Sequence, residues 1–318
     1  MLTAQRAVTA GRTLRRRLLA LARQLGSLAV LLVVTVTLLF FALRLTGDPA
    51  VIIAGEFATP ESLAAIRERY RLDDPQILQY LRFVEQAVRL DFGTSLATGR
   101  DALAMVIERL PATLALTVAG AVANLAISVP LGLWIGSRAA NVDGRLVALA
   151  AFVFQGIPGY VFALLLIEVA AVRFGLLPSI GDGSVRSLVL PSLAIASFLA
   201  PKLTRVIAAR VREELESDYA NLARAHGAGR LAVLIRHAWP NALLGATALF
   251  GVQIAGLING IVITESIFAW PGVGKLLLDS IVVLDFPVVQ AVVVVTTLMV
   301  FLINSATDYG LDRIDPRT

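Results

Sequence analysis

Residues 25–43 read LGSLAVLLVVTVTLLFFAL, and no charged side chain interrupts them. A helix needs about 20 predominantly apolar residues to cross the hydrocarbon core of a bilayer, so this stretch can span a membrane. The composition of the whole chain agrees, because 57% of its 318 residues are apolar and 16% are charged. Soluble domains have roughly 45–50% apolar and about 25% charged residues. The sequence therefore predicts an integral membrane protein.

Comparable apolar stretches recur along the chain and predict an all-α integral membrane protein with six transmembrane helices. The predicted spans are residues 26–45, 111–136, 147–170, 188–207, 242–265 and 288–307. Because basic residues precede the first stretch, a cleaved signal peptide is the alternative interpretation of it. The stretch is longer than a typical h-region of about 7–15 residues and no small-residue cleavage site follows, so we interpret it as an uncleaved first span.

A polar segment, residues 46–110, separates the first two spans and is predicted to be helical. Thr59-Pro60-Glu61 combines a capping hydroxyl, a proline at the first helical position and an acidic residue near the positive end of the helix dipole. Asp74-Pro75 predicts the start of a second helix, which ends before Phe92-Gly93. The apolar residues of that helix form one stripe: Ile77, Leu78, Leu81, Val84 and Val88.

The distribution of arginines predicts the orientation of the spans. Cytoplasmic loops carry an excess of Lys and Arg, whereas charges in long translocated segments count little. We therefore expect residues 1–25, 208–241 and 308–318 to face the cytoplasm and residues 46–110 to face outward. The arginines that indicate this are Arg6, Arg12, Arg15, Arg16, Arg17, Arg23, Arg138, Arg145, Arg205, Arg210, Arg212, Arg224, Arg230, Arg236, Arg313 and Arg317.

Several function classes are disfavoured by what the sequence lacks. It has no cysteine, which excludes thiol chemistry and thiolate metal sites. Its two lysines, Lys202 and Lys275, do not belong to a G-x-x-x-x-G-K-[ST] phosphate loop. We interpret His226 and His237, both in a polar loop, as solvated or packing side chains rather than metal ligands. The net charge of +5 comes from arginines that flank the spans, so it does not indicate a nucleic-acid partner.

The stretch between the fourth and fifth spans, residues 212–241, reads REELESDYANLARAHGAGRLAVLIRHAWPN. It predicts two short helices separated at Gly227-Ala228-Gly229, since glycine favours the left-handed conformation that ends a helix. Its acidic residues are predicted to lie in the first turns of the first helix: Glu213, Glu214, Glu216 and Asp218. Two interpretations are open, a connecting loop without a further role and a docking element for a cytosolic partner.

The same stretch resembles the EAA motif of permeases from ATP-binding-cassette (ABC) importers, the element that inserts into a groove of the ATPase subunit. Gly227 matches the glycine of that motif, Ala223 the alanine before it and Pro240 the proline after it. Asn221 and Leu222 stand where the motif has its glutamate and its first alanine.

The chain as a whole resembles the dipeptide/oligopeptide (peptide/nickel) permeases, and specifically the first of the two permeases that such systems pair. His226 replaces the lysine of that branch. By this resemblance, the residues that couple to the ATPase are Asp218, Tyr219, Ala223, Arg224, Ala225, Gly227, Arg236, His237 and Asn241. Matches elsewhere follow the same order, among them Gly47-Asp48-Pro49, Asp91–Ser95, Glu265–Gly274, Asp285-Phe286-Pro287 and Asp315-Pro316-Arg317.

The resemblance implies a type I importer permease with a transmembrane core at residues 111–307 and a coupling hairpin at residues 208–241. It implies a second permease subunit, two ATPase subunits or domains that bind ATP and Mg, and an external substrate-binding protein. The chain itself is expected to hold no cofactor and to catalyse no reaction. Its expected place is the cytoplasmic (inner) membrane of a bacterium or archaeon, in contact with membrane lipid. Dipeptides, longer peptides, glutathione and nickel chelates all remain open as cargo.

Three polar or small-residue features inside the spans have open interpretations. Glu265 either has a structural role, as a partner or cap near the interface, or contributes to gating or to docking of the binding protein. Asn259 is a candidate for lining the pathway. Gly256 and Gly260 form a G-x-x-x-G pattern that permits close helix packing, including packing against another subunit.

Two other function classes compete with the importer. A self-sufficient secondary transporter predicts charged side chains or broken helices at the membrane midplane, and the sequence shows no such set. A membrane enzyme predicts a catalytic pair within a span, which is also not evident.

Overall fold

The computed structural model describes residues 2–45, 49–54, 59–139, 141–181 and 183–314. Gly47, Asp48 and residues 315–317, named above for their resemblance, lie outside these ranges. The chain divides into two compact units, Met1–Val106 with Ser280–Phe301, and Ile107–Asp279 with Leu302–Thr318.

Helices account for most of the described residues. In chain order they are α1 (Leu2–Leu45), α2 (Pro49–Ala54), α3 (Pro60–Tyr70), α4 (Gln76–Val88), α5 (Ala102–Ser137), α6 (Val142–Gln155), α7 (Gly159–Leu166), α8 (Val189–Glu216), α9 (Asp218–Ala225), α10 (Arg230–Val233), α11 (Trp239–Ile267), α12 (Val273–Val282) and α13 (Phe286–Ile314). Two π-helical segments, Ile167–Arg173 and Leu234–Ala238, extend α7 and α10, and a 3₁₀ turn, Arg186–Leu188, precedes α8.

Four helical stretches are long and apolar enough to cross a membrane by themselves: Ala22–Ala42, Ala102–Ser137, Arg186–Glu216 and Phe286–Thr307. Two bent helix pairs bring the number to six if each pair forms one span: Val142–Gln155 with Gly159–Arg173, and Arg230–Leu243 with Gly245–Leu257. The predicted all-α membrane fold is thereby confirmed, with four to six spans in the described part of the chain.

The third predicted span is broken rather than continuous. We predicted one helix over residues 147–170, but α6 and α7 meet at an angle of 97°. Pro158 precedes α7 with extended backbone angles, φ −58° and ψ 134°. A proline has no N–H to donate and disfavours helical geometry in the residue before it, here Ile157, so the helix stops and restarts at this point.

The helix before the hairpin is longer than predicted. Glu213, Glu214 and Glu216 lie in the last turns of α8 and not at the start of the next helix, so that prediction was wrong. The exposed ion pairs Arg210–Glu213 and Arg212–Glu216, both 3.0 Å, have the i,i+3 and i,i+4 spacings that favour a helical backbone here. Ser217, with ψ 157°, ends α8.

In the first unit, α4 packs its aromatic face on α1. Phe40 of α1 stacks on Phe83 at 5.8 Å between ring centroids, and the Thr37 and Tyr80 hydroxyls are 2.7 Å apart. The predicted apolar stripe is not the buried face of α4, because Ile77, Leu81 and Val88 are exposed whereas Phe83 and Ala87 are buried. The predicted start of α3 is confirmed, since Thr59 caps it in a reciprocal capping box with Ser62.

A buried carboxylate joins two distant segments of the first unit. Asp285 is 2% exposed and accepts hydrogen bonds from the Ser95 hydroxyl and from the Leu96 N–H, the latter at 3.0 Å. Ser95 follows Gly93, whose φ of +73° turns the chain after α4. The matches Asp91–Ser95 and Asp285-Phe286-Pro287 are therefore parts of one contact.

The second unit is built on close packing between α5, α8 and α11. Leu116, Ile195, Leu257 and Trp270 belong to one buried cluster. Glycines of α5 permit the close approach of α8, because a Cβ at Gly132 would lie 2.6 Å from the Ile207 side chain.

A buried polar network also links these three helices. Asn124 of α5 donates to Gln253 of α11 at 3.0 Å and accepts from Ser128 at 2.8 Å, while Gln253 donates to the Leu199 carbonyl of α8 at 2.9 Å. Each of these side chains is at most 8% exposed, and the network satisfies polar groups that would otherwise be costly in a membrane.

Candidate functional site

The hairpin between α8 and α11 consists of α9, a tight turn, α10 and the π-helical segment. Ser217 caps α9, accepting from the Ala220 N–H at 3.4 Å, and Asp218 is its first residue. An acidic residue at this position is favourable, because the N-terminal end of a helix carries partial positive charge.

Gly227 ends α9 in the way that the sequence predicts. Its φ is +86°, in the left-handed region. The Ala228 N–H donates to the Ala223 carbonyl at 3.0 Å and the Gly227 N–H donates to the Arg224 carbonyl at 2.9 Å. This pair of bonds is a Schellman motif, in which a side chain at the glycine position costs about 1–2 kcal/mol of backbone strain. A Cβ at Gly227 would meet nothing within 4 Å, so the requirement for glycine comes from the backbone alone.

The two arms of the hairpin are held together at their base. The Asn241 side-chain amide donates to the Tyr219 hydroxyl at 3.1 Å and to the His237 carbonyl at 3.2 Å. The Tyr219 and His237 rings lie 6.3 Å apart. Tyr219 of α9 and Asn241 of α11 therefore link the start and the end of the hairpin.

Two arginines connect the hairpin to the helices on which it stands. Arg224 donates to the Leu215 carbonyl in the last turn of α8 at 2.7 Å and to the Asn221 side chain at 2.6 Å. Arg230 donates to the Ser137 carbonyl, the last residue of α5. Both bonds satisfy carbonyls near a helix C-terminus, where a cation is favourable.

The inner face of the hairpin is packed, and its outer face exposes apolar side chains. Ala220 and Val233 are fully buried. Leu222, Leu231 and Ile235 are exposed, by 59%, 67% and 55% respectively. The other exposed residues of the hairpin are Tyr219 and a set that is polar or small: Asp218, Asn221, Arg224, Ala225, His226, Gly227, Gly229, Arg230, Arg236 and His237. The hairpin therefore exposes apolar side chains among polar ones.

The structure brings together the predicted coupling residues, because all nine lie on this hairpin or at its junction with α11. Sequence reasoning missed Arg230, Ser217 and the exposed leucines. Arg230 directly follows the Gly-Ala-Gly turn, but its partner Ser137 lies far away in the sequence and no spacing could reveal it. Ser217 carried a usable signal, since serine is a preferred N-cap residue.

Glu265 lies near the C-terminal end of α11, fully buried and separate from the hairpin. Its carboxylate accepts from the Thr113 hydroxyl at 2.6 Å and from the Lys275 N–H in the first turn of α12 at 3.0 Å. Thr113 in turn accepts from the Val273 N–H at 2.8 Å. Glu265 thus caps a neighbouring helix from outside, at the end where a negative charge is favourable.

The glycines of the same motif leave room for this carboxylate. A Cβ at Gly272 would overlap with the Glu265 carboxylate, and one at Gly274 would lie 2.9 Å from it. This geometry gives Glu265 a structural role. It also explains why the stretch Glu265–Gly274 combines a glutamate with glycines, since side chains at Gly272 and Gly274 would occupy the space of the carboxylate.

The remaining candidates, Asn259 and the glycines Gly256 and Gly260, lie in α11, away from the hairpin. A second glutamate of the spans, Glu168 in the π-helical segment after α7, pairs with Arg173 at 2.9 Å. A Cβ at Gly256 would meet no atom within 4 Å and one at Gly260 would meet only Phe198 at 3.9 Å, so this pattern does not mediate close packing within the described chain. The side chain of Asn259 lies outside the described residues.

Comparison with known proteins identifies the family. The model for binding-protein-dependent transport system inner membrane components matches residues 128–318, and the model for the N-terminal part of such membrane components matches residues 16–117. The chain belongs to this family. It is therefore a permease subunit of an ABC importer and a multi-pass protein of the inner membrane.

Curated relatives support this assignment over nearly the whole chain. The glutathione transport system permease protein GsiC of Salmonella paratyphi A is 32% identical over 300 residues, which cover 93% of this chain and 97% of that protein. GsiC of Escherichia coli K12 is 32% identical over 294 residues, which cover 92% and 96% of the two chains.

Solved structures support the fold. An inward-facing form of the MetNI methionine ABC transporter has a TM-score of 0.53 at 20% identity, covering 66% of this chain and 96% of the solved one. An amino acid ABC transporter crystallised with histidines has a TM-score of 0.51 at 15% identity, covering 66% and 94%. The structure has a helix break between α6 and α7, but the family assignment excludes the secondary-transporter hypothesis.

Proposed function

We propose that this chain forms, with a second permease subunit, the translocation pathway of an importer for peptides or similar small solutes, and that its hairpin transmits movement from an ATPase. The observation that carries the proposal is the hairpin itself: a rigid, capped element that exposes Leu222, Leu231 and Ile235. ATP and Mg are bound by two ATPase subunits or domains, and cargo is delivered by an external substrate-binding protein. This chain binds no cofactor.

The orientation follows from charge. With the arginine-rich hairpin and both termini in the cytoplasm, the exposed residues of the hairpin meet a cytosolic protein rather than lipid. Residues 46–110 then lie on the outer side, where cargo arrives. The positive-inside rule supports this arrangement, as does the resemblance of the hairpin to the EAA motif.

The cargo class is inferred from relatives and chemistry. The curated relatives named above are described as glutathione permeases, and glutathione is a short peptide. With 32% identity over nearly the whole chain, we propose small peptides, glutathione among them, as the cargo class.

The mechanism is alternating access. Closure of the ATPases on ATP moves the hairpin, and the hairpin moves α5 and α8 through the Arg230–Ser137 and Arg224–Leu215 bonds. Because α5 and α8 are in close contact at Gly132, they move together. Nucleotide and delivered cargo set the populations of the inward-open and outward-open states by binding them with different affinities.

Co-purification from native membranes tests the docking role. We compare the tagged wild-type chain with Gly227→Asp and with Gly183→Asp. Gly183 has a φ of +80° and open space around its Cβ position, so this control carries the same backbone strain and the same added charge at the other end of α8. We expect an ATP-hydrolysing polypeptide to co-purify with the wild type and with Gly183→Asp, and to be lost from Gly227→Asp.

Leu231→Ser provides a second test, in which a loss of the ATPase is not explained by misfolding of this chain. Leu231 is 67% exposed, so its truncation removes little internal packing while weakening an apolar contact with a partner. If the wild type brings down no ATPase, or if Gly227→Asp and Leu231→Ser both retain it fully, the hairpin is not the docking element.

A further inference from the structure

A cavity of about 650 Å³ lies between the hairpin and the ends of the helices that support it. Four arginines line it: Arg145, Arg212, Arg224 and Arg230. The acidic residue among its described lining is Glu216, which already accepts from Arg212 at 3.0 Å. The volume falls within the range of about 300–1,000 Å³ that is usual for small-molecule sites. The cavity therefore has an excess of positive charge and room for a ligand.

The arginines are held in place yet keep free donors. Arg224 and Arg230 donate to the carbonyls of Leu215 and Ser137, and Arg145 donates to the Ala139 carbonyl at 3.5 Å. A guanidinium has five N–H donors, and these bonds use one or two of them in each residue. The helix-end carbonyls would oppose an anion, but the bonds from Arg224 and Arg230 offset their partial negative charge. Each arginine can still donate to a ligand.

We propose that this arginine pocket (Arg145, Arg212, Arg224 and Arg230) binds a phosphate group. Guanidinium groups match phosphate oxygens in geometry as well as charge, because two parallel N–H groups can bind two oxygens. The phosphate is presented either by the headgroup of an anionic lipid or by a free phosphate-bearing solute. Basic pockets between spans on the cytoplasmic side of a membrane are suited to lipid headgroups. The lipid source rests on the proposed orientation, whereas the phosphate chemistry does not.

Such a ligand has a consequence for the transport cycle. The pocket has one wall on the hairpin, with Arg224 and Arg230, and another on α8 and the start of α6, with Arg212 and Arg145. A phosphate that contacts both walls favours the hairpin position seen here over one in which the walls separate. The bound anion thus restrains the element that couples to the ATPase.

The test uses the assembled transporter, purified through a tag on this chain. The pocket variant is Arg145→Gln with Arg212→Gln, neither of which is a coupling residue. The control is Arg205→Gln with Arg210→Gln, which removes the same charge from exposed positions of α8 outside the pocket. The control is well matched, because Arg210 bonds Glu213 at 3.0 Å just as Arg212 bonds Glu216 at 3.0 Å.

Two binding measurements distinguish the sources. In the lipid arm, delipidated complex is titrated with phosphatidylglycerol, cardiolipin or phosphatidylcholine, and retained lipid is counted by native mass spectrometry. In the solute arm, radiolabelled inorganic phosphate is measured by equilibrium dialysis. We expect anion binding to weaken about 25-fold in the pocket variant, since each basic residue near an anionic group contributes about fivefold, and to be unchanged in the control.

Binding in the lipid arm alone identifies a headgroup site, and binding in the solute arm identifies a free phosphate site. The proposal is overturned if the wild type binds neither, if the pocket variant binds as tightly as the wild type, or if both variants lose binding equally. Co-purified ATPase is scored on the same samples. A wild-type transporter that retains its ATPase but binds no anion contradicts only this inference, and one that binds the anion but retains no ATPase contradicts only the proposed function.

Discussion

Replacing Glu265 distinguishes a structural role of this carboxylate from a role in gating alone. Glu265→Ala removes the acceptor of two buried donors, the Thr113 hydroxyl and the Lys275 N–H. A buried donor left without a partner costs about 1–3 kcal/mol, so the expected loss in the free energy of unfolding is about 2–6 kcal/mol. Glu265→Gln keeps one carbonyl oxygen and should lose about half as much.

Glu168→Ala is the matched control. It also removes a glutamate from the same unit, but Glu168 and its partner Arg173 are 49% and 68% exposed. An exposed ion pair contributes about 0–1 kcal/mol. The assay is thermal unfolding of the purified protein in detergent, with cargo uptake per mole of folded transporter measured in proteoliposomes.

We expect the decrease in melting temperature to be smallest for Glu168→Ala, larger for Glu265→Gln and largest for Glu265→Ala. If the role of Glu265 is structural, Glu265→Ala should lower the yield of folded protein more than it lowers cargo uptake per mole of folded protein. A Glu265→Ala protein that melts like Glu168→Ala would refute the capping argument. If such a stable protein also fails to transport, the gating interpretation of Glu265 replaces the structural one.

Four further predictions follow from individual contacts. Gly132→Ala should destabilise the protein by about 1–3 kcal/mol in thermal unfolding, because its Cβ would lie 2.6 Å from Ile207; the control Gly256→Ala, which meets nothing within 4 Å, should not destabilise it. Asn124→Leu should lower stability by about 0.6–2 kcal/mol, the range for hydrogen bonds between transmembrane helices, and an unchanged melting temperature would show that the Gln253 contact contributes nothing. Ser95→Ala should increase proteolysis of residues 91–101 more than Thr98→Ala does, since of these two hydroxyls it is the one on Ser95 that donates to the buried Asp285 carboxylate; equal cleavage rates would contradict this. Arg230→Gln should leave ATPase co-purification intact while lowering cargo moved per ATP hydrolysed, and unchanged stoichiometry would exclude the Ser137 bond from coupling.

The sequence predicts features that depend on local chemistry. The span at residues 26–45, the capped start of α3 and the left-handed Gly227 all follow from residue types that act on neighbouring positions. The end of α8 was placed too early because the polar composition after residue 207 suggested a loop. In fact the pairs of Arg210 and Arg212 with downstream glutamates suit a helix that extends out of the apolar region.

Features that depend on long-range packing could not be predicted. The stripe of Ile77, Leu81 and Val88 has the period of a buried helix face, yet α4 buries Phe83 because Phe40 of α1 stacks there. The interpretation of Glu265 stayed open at the sequence level because its partner Thr113 lies on α5. The sequence shows Pro158 in the third predicted span, but a proline alone does not predict the 97° bend between α6 and α7. Pro111 and Pro130 both lie within the continuous helix α5. At Pro158 the adjacent Gly156 and Gly159 make the interruption easier, since glycine is a poor helix former.

The hydrogen bonds of the hairpin indicate which helices the proposed coupling acts on. Arg230 and Arg224 bond to main-chain carbonyls at the very ends of α5 and α8, and Asn241 bonds Tyr219 where α11 begins. A displacement of the hairpin therefore reaches the ends of three helices. The same three helices are locked to one another by Gly132 against Ile207 and by the Asn124–Gln253 contact, so a displacement at one end cannot be absorbed by sliding between them. We infer that α5 and α8 respond as a rigid pair, to which α11 is held at Gln253.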